Sequence, residues 1–279
     1  HHRENDLFFI TVGHGFLLGA DPDFVPSPNE NYTIAGAACQ KPREPLPPPT
    51  HPICFLCFIL VDFSVNQSRF EEETIATDVP AIIRNLLNFH DFRDKTIIAV
   101  GAGGGQLIEY ARPARHVIAV DCDGPAIELL KERLKASGLA EKFTVIHADF
   151  LDIRERGDVV LFEFSLHETA DPAAALDHAR LIAPAVVVLD HFTDSRWAYL
   201  VSEEEKVEKA WRAIDRLPGV KKQIEKTEQV FATFTELYEK VQGQGETTRQ
   251  RIEPYRDQRD FTIPMTYALG HIPGIATGA

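Results

Sequence analysis

From Val65 onward the apolar positions follow a regular rhythm. Asp78 reads as the cap of a helix over 79–89, with Pro80 in its first turn and Val79, Ile82, Ile83, Leu86 and Leu87 at helical spacing. A short apolar run, Thr96–Val100, stops at a glycine cluster and reads as a strand. A helix over about 105–112 leads to a second strand at 116–120. Asp123, with Pro125 behind it, opens a helix that runs to about Ala136 before Ser137 and Gly138. Further strands are predicted at 143–147, 158–162 and 185–190, with Asp171-Pro172 opening a helix over 173–182 between the last two. Apolar strands alternating with amphipathic helices require a parallel sheet covered on both faces.

Beyond residue 190 the pattern changes. Two charged helices are expected, over about 195–216 and 220–242, split at Leu217-Pro218-Gly219. They form a helical cap over about 195–242. Two strand-like segments follow, 247–254 and 259–269, and read as an antiparallel pair at the sheet edge. The whole predicts an α/β fold: a doubly wound, mostly parallel seven-stranded sheet, Rossmann-like, with an antiparallel C-terminal strand pair.

Residues 1–64 do not share this rhythm. They hold nine of the eighteen prolines, three of the four cysteines and three basic residues. Five prolines between Pro45 and Pro52 remove backbone donors and fix φ, which makes that stretch extended or polyproline-like. The domain is therefore placed at 65–279, and 1–64 reads as a Pro-rich irregular extension that need not belong to the functional unit. Within it the apolar run Ile53–Val61 can be a signal-peptide core, or else a buried strand or a segment docked on the main domain; its distance from the start and its lack of a basic flank favour the latter two. Cys54-x-x-Cys57 with His51 resembles half a metal site, but no second Cys/His pair follows at zinc-finger spacing, so buried thiols are the preferred reading and no metal is assigned.

Composition narrows the function classes. With 44% hydrophobic and 25% charged positions the 279-residue chain is globular in type. The longest apolar run is nine residues, Ile53–Val61, against about 20 for a membrane-crossing helix, so no membrane partner is expected. A formal charge of −13 repels polyanions and favours cationic small molecules, which argues against nucleic acid. Four cysteines do not make a disulfide scaffold, and a reducing cytoplasm is the expected location.

In an open parallel sheet, ligands bind beyond the carboxyl ends of the strands. The first strand runs into Gly101-Ala102-Gly103-Gly104-Gly105, whose glycines permit a tight turn and close approach of a ligand to the backbone. The second strand ends at Asp121, where a carboxylate can accept hydrogen bonds from both hydroxyls of a ribose. A dinucleotide fingerprint needs a third glycine where Gln106 stands, and no G-K-[ST] exists to hold a triphosphate. A nicotinamide oxidoreductase is disfavoured on that ground.

Three segments, Ala99–Gly105, Val117–Ala126 and Ile146–Leu151, carry a resemblance to the class I S-adenosylmethionine-dependent methyltransferases over about residues 75–190. The resemblance implies that Gly101, Ala102, Gly103 and Gly105 pass under the methionine and ribose of S-adenosylmethionine. It implies that Asp121 holds the ribose hydroxyls, Cys122 lines the adenine pocket, and Asp149 and Phe150 meet the adenine amino group and ring. Many members of that family place an acidic residue where this chain has Ala99; Glu163, beyond the fourth strand, is the candidate substitute, with a solvated strand-end charge as the alternative.

Methyl transfer is an in-line displacement in which collinear positioning supplies much of the acceleration. His167, in Phe164-Ser-Leu-His-Glu168, is the candidate catalytic base, while Ser165-x-x-Glu168 also has capping-box spacing, which would leave His167 on a turn. Asp190 and His191 with Glu163 offer a divalent-metal alternative. The loop is also similar to that of ribosomal RNA adenine dimethylases, but their N-[LP]-P-[YF] segment is replaced by Glu163–Leu166. A small-molecule acceptor is the expectation, and a cofactor-binding sensor without catalysis is the alternative.

Overall fold

The computed structural model describes residues 78–275, together with the backbone of two short strands, β1 (Phe8–Val12) and β2 (Gly15–Gly19), which pair antiparallel in a ladder that the sequence pattern did not predict. The Pro45–Pro52 cluster, the Ile53–Val61 run and the Cys54/Cys57/His51 group lie outside the described residues.

Asp78 accepts from the amide of Ala81 at 2.9 Å and starts α1 (Val79–Phe89), which buries Ile82, Ile83 and Leu86 against the sheet. The parallel strands β3 (Thr96–Val100), β4 (His116–Asp121), β5 (Phe143–His147), β6 (Val159–Glu163) and β7 (Ala185–His191) fall at the predicted places. So do α2 (Gly124–Ala136) and α3 (Pro172–Ile182), each capped by an aspartate, Asp123 and Asp171, with proline in the first turn. The sheet order is β5-β4-β3-β6-β7-β9-β8, so strand order reverses between β3 and β6. Helices cover both faces and enclose two apolar layers, one including Ile97, Leu161 and Leu189, the other Ile98, Val160 and Val188.

Four local expectations are corrected. The helix expected over 105–112 is one 3-10 turn, Ile108–Ala111, because the glycines before it and Pro113 after it leave too few residues to nucleate an α-helix. The helix expected over 195–216 is divided into α4 (Arg196–Leu200) and α5 (Glu204–Asp215) at Ser202, whose φ is +62°. The helix expected over 220–242 is strand β8 (Lys221–Thr233) followed by α6 (Phe234–Val241). Conversely, the strand expected at 247–254 is helix α7 (Glu246–Ile252), with Glu246 in its first turn and Arg249 and Arg251 in its last.

The antiparallel pair at the edge is thus β9 (Arg259–Pro273), which contains the expected strand 259–269, with β8 as its partner in place of 247–254. The reason is visible in β8: Gln223, Glu225, Thr227 and Gln229 lie on its more buried face while Ile224 and Val230 are exposed, so polarity runs against burial. Lys, Glu and Gln favour a helix locally, and pairing along the length of β9 overrides that preference. No helix among the described residues is long and apolar enough to cross a membrane.

Candidate active site

The ends of β3, β4, β6 and β7 converge where strand order reverses. Gly101 leaves β3 at φ +68°, and a Cβ there would stand 2.2 Å from that of Ser165. Ser165 itself donates its hydroxyl to the carbonyl of Val100 at 2.7 Å, so the loop after β6 rests on the first glycine. Gly103, at φ +49°, differs: the nearest heavy atom to a Cβ built on it is 3.8 Å away, which leaves room for a ligand against its backbone. Gly105 packs on Leu130 and Ile108, and Ala102 is buried, so these two shape the turn from behind.

Asp121 faces this loop. Its two carboxylate oxygens accept from the amides of Gly103 at 2.8 Å and Asp123 at 2.9 Å, which clamps the glycine turn to the end of the neighbouring strand. Each oxygen keeps a second lone pair for a further donor such as a ribose hydroxyl. Cys122 is exposed beside Asp121, and its carbonyl lies 3.0 Å from Nε2 of His147. Asp149 caps the 3-10 turn Phe150–Asp152 through the amide of Leu151. The Phe150 ring is buried edge-on against Phe162 and His178, with centroids 5.4 and 5.0 Å away, and so forms the floor beneath that part of the site.

Glu163 is not a solvated strand-end charge. It is 6% exposed, and its Oε1 accepts the hydroxyl of Tyr110 at 2.5 Å. Burial pushes its carboxyl up to about 8; the Tyr110 hydrogen bond pulls the other way, and the Asp121 carboxylate adds to the rise. Burial likewise carries the Tyr110 phenol well above its ordinary range, so the pair is neutral in neutral solution. Nothing in the sequence segment around Tyr110 marked it as Glu163's partner; the two are 53 residues apart.

Phe164 then turns at φ +49°, an uncommon conformation for a bulky side chain, of the kind that clusters at functional sites. Its ring meets those of His191 and Tyr267 at 5.0 and 6.3 Å. His191 is 6% exposed, and its Nδ1 is buried with no hydrogen-bond partner among the described residues. Burial, with His167 as a like-charged neighbour, lowers its imidazole to about 3, so the ring is neutral. Tyr267, from β9, accepts from Asn85 of α1 at 2.9 Å. Sequence patterns do not mark Asn85, Tyr110 or Tyr267 as site residues: Asn85 and Tyr267 come from α1 and β9, far along the chain, and Tyr110, just after the glycine loop, has its partner 53 residues away.

His167 occupies different surroundings. Its amide and its Nδ1 both contact Asp190, at 3.1 and 2.5 Å, and its Nε2 lies 3.3 Å from Glu168 and 3.4 Å from Glu203. Burial disfavours its charged form, but Asp190, joined by Glu168 and Glu203, overrides burial and holds the imidazole well above its ordinary value. The capping-box alternative does not form, since the Ser165 hydroxyl is committed to Val100. Nor do Asp190, His191 and Glu163 assemble into a metal site: the Asp190 carboxylate binds His167, and that of Glu163 binds Tyr110.

Residues 97–184, which carry the glycine turn, Asp121 and Glu163, match the methyltransferase-domain family. Among solved structures, the chain is similar to the YcgJ protein of Bacillus subtilis, with a TM-score of 0.53 and 11% identity over 70% of this chain and 99% of that one. It is also similar to a protein of Bacillus halodurans described as a methyltransferase, with a TM-score of 0.51 and 14% identity over 68% of this chain and 97% of that one. A third, magnesium protoporphyrin IX methyltransferase of Synechocystis with bound S-adenosylhomocysteine, gives a TM-score of 0.45 at 11% identity over 70% and 81% of the two chains. No curated protein matches the sequence. Strand order and the glycine turn clamped by Asp121 agree with that match: residues 97–184 are similar to the methyltransferase-domain family, on a fold shared with these solved structures.

Proposed function

We propose that this protein transfers the methyl group of S-adenosylmethionine to a small-molecule acceptor by in-line displacement. The observation that carries the reading is the contact of the Gly103 amide with Asp121, because it sets an open glycine backbone beside a carboxylate with unused lone pairs. In this reading the ribose hydroxyls bind Asp121, the adenine lies over Cys122, Asp149 and the Phe150 floor, and the amino-acid end reaches Glu163. The ammonium of the cofactor favours the ionised carboxyl, so Glu163 gives up its proton as the cofactor binds.

The acceptor is assigned to the side of the sheet that carries Phe164, His191 and Tyr267. The orphaned Nδ1 of His191 supports this: with its proton on Nε2, the neutral ring offers one acceptor to an O–H or N–H of the substrate. Such a hydrogen bond orients the nucleophile toward the methyl carbon, and exclusion of water follows from the burial of the same ring. His167, expected as the base, does not suit that role, since both its nitrogens face carboxylates and its side chain is 3% exposed. The acidic net charge supports a small molecule rather than nucleic acid.

Calorimetry with S-adenosylmethionine, S-adenosylhomocysteine and NAD tests the first half: the two sulfur nucleosides bind and NAD does not. Asp121→Asn weakens them by roughly tenfold to a hundredfold, as expected for loss of charge-assisted hydrogen bonds of about 1.5–3 kcal/mol. Transfer of labelled methyl into a small-molecule fraction of cell extract tests the second half, and binding without any transfer would support a sensor instead.

A further inference from the structure

A second cluster of donors lies at the junction of the loop 164–169 with the start of α5. Nε2 of His167 faces Oε1 of Glu168 at 3.3 Å and Oε2 of Glu203 at 3.4 Å, and one ligand atom from each of the three lies within 4.8 Å of the others. We propose that His167, Glu168 and Glu203 bind a divalent transition-metal ion of the zinc class, with Asp190 orienting the histidine from behind.

Four features support this assignment. The first is spacing: donors about 2.0–2.1 Å from a tetrahedral ion lie roughly 3.4 Å from one another, which is the separation of Nε2 from both carboxylates. The second is orientation. Metal-bound histidines commonly give their other ring nitrogen to a carboxylate, and Nδ1 of His167 sits 2.5 Å from Asp190, whose second oxygen takes the His167 amide. The imidazole is therefore fixed with Nε2 pointing at the two glutamates.

The third feature is the use made of Glu203. It occupies the N-cap position of α5, yet its side chain caps no amide there; instead it is turned inward, 12% exposed, toward His167. Glu168 is oriented similarly, with its outer oxygen held by Lys206 at 2.8 Å and its inner one facing His167. The fourth is charge. Asp190, Glu168 and Glu203 carry three negative charges and Lys206 one positive, so with a neutral imidazole a divalent cation balances the group. The donor set, one imidazole and two carboxylates, suits zinc, cobalt or manganese better than calcium or a thiolate-seeking ion. Three protein donors leave a position for water, and the ion would tie the loop bearing Phe164 to α5.

The test uses the full chain stripped with a chelator and then titrated with zinc chloride, manganese chloride and cobalt chloride in separate calorimetric runs. Wild type is expected to bind one more equivalent of zinc than a Glu168→Gln/Glu203→Gln double variant; metal taken by other donors is common to both proteins and cancels. Single Glu203→Gln is expected to weaken that equivalent at least tenfold, and Asp190→Asn to weaken it less while keeping the stoichiometry. Cobalt should give visible absorption bands that the double variant lacks. Far-UV circular dichroism establishes that each variant is folded, and Glu168→Gln alone, at a half-exposed position, serves if the double variant is not. Equal stoichiometry and affinity in wild type and folded variants, or no binding by wild type, overturns the proposal.

Discussion

The Glu163–Tyr110 pair makes a quantitative claim about stability. An unfolded glutamate ionises near 4.5, whereas burial holds this one at about 8 in the folded protein. The native state therefore keeps a proton that the unfolded chain releases. The favourable difference is complete below about pH 4.5 and is lost as pH rises through about 8, beyond which it changes no further. The gap between the two values, at ~1.4 kcal/mol per pH unit, is worth on the order of 5 kcal/mol in total. Glu163→Gln isolates it, because the amide carbonyl still accepts the Tyr110 hydroxyl while the group no longer ionises. Between about pH 5.5 and 8.5 wild type should lose roughly 3 kcal/mol relative to the variant. In a domain of this size that is ~6–12 °C of melting temperature. Thermal or urea melts of both proteins across that range supply the comparison, and titrations elsewhere in the molecule cancel in it. Parallel stability curves would refute the buried, proton-holding carboxyl and with it the account of the site's electrostatics.

Three further outcomes follow from the same geometry. At pH 7 Glu163 is mostly protonated, so binding of S-adenosylmethionine should release nearly one proton; calorimetry in buffers of different ionisation enthalpy reads this, and Glu163→Gln should abolish it. Gly101→Ala should cost at least ~1 kcal/mol for its φ of +68°, plus the collision with Ser165; in urea melts Ser165→Gly alone measures the loss of its bond to Val100, and relative to that variant Gly101→Ala should cost only the φ part. His191→Phe removes a buried unpaired nitrogen and should leave stability within about 1 kcal/mol of wild type, while labelled-methyl transfer falls on the order of tenfold; unchanged transfer would remove His191 from the acceptor site.

The helices α1, α2 and α3 were legible because each starts at an aspartate cap with proline in the first turn, and the five parallel strands because each is a short apolar run, signals that act over a few residues. The glycine turn and Asp121 were legible for the same reason, since they terminate adjacent strands. What lay beyond the sequence depends on distant partners. Strand β8 exists because β9 pairs with it, against its own composition. Glu163 is proton-holding because Tyr110 and the sheet bury it, and His167 sits among carboxylates that include Asp190 of β7 and Glu203 at the start of α5.

The outermost strand has a consequence for the behaviour of the folded chain in company. Among the described residues β8 is the outer strand of the sheet, with Ile224 and Val230 exposed on it, a border of the kind that recruits strangers into shared sheets. Lys222, Lys226 and Glu228 are interspersed along it, so a second copy arriving edge to edge would have to strip water from ionised groups before any pairing began. The charge that hid this strand from a periodicity reading is thus also what guards the sheet from growing.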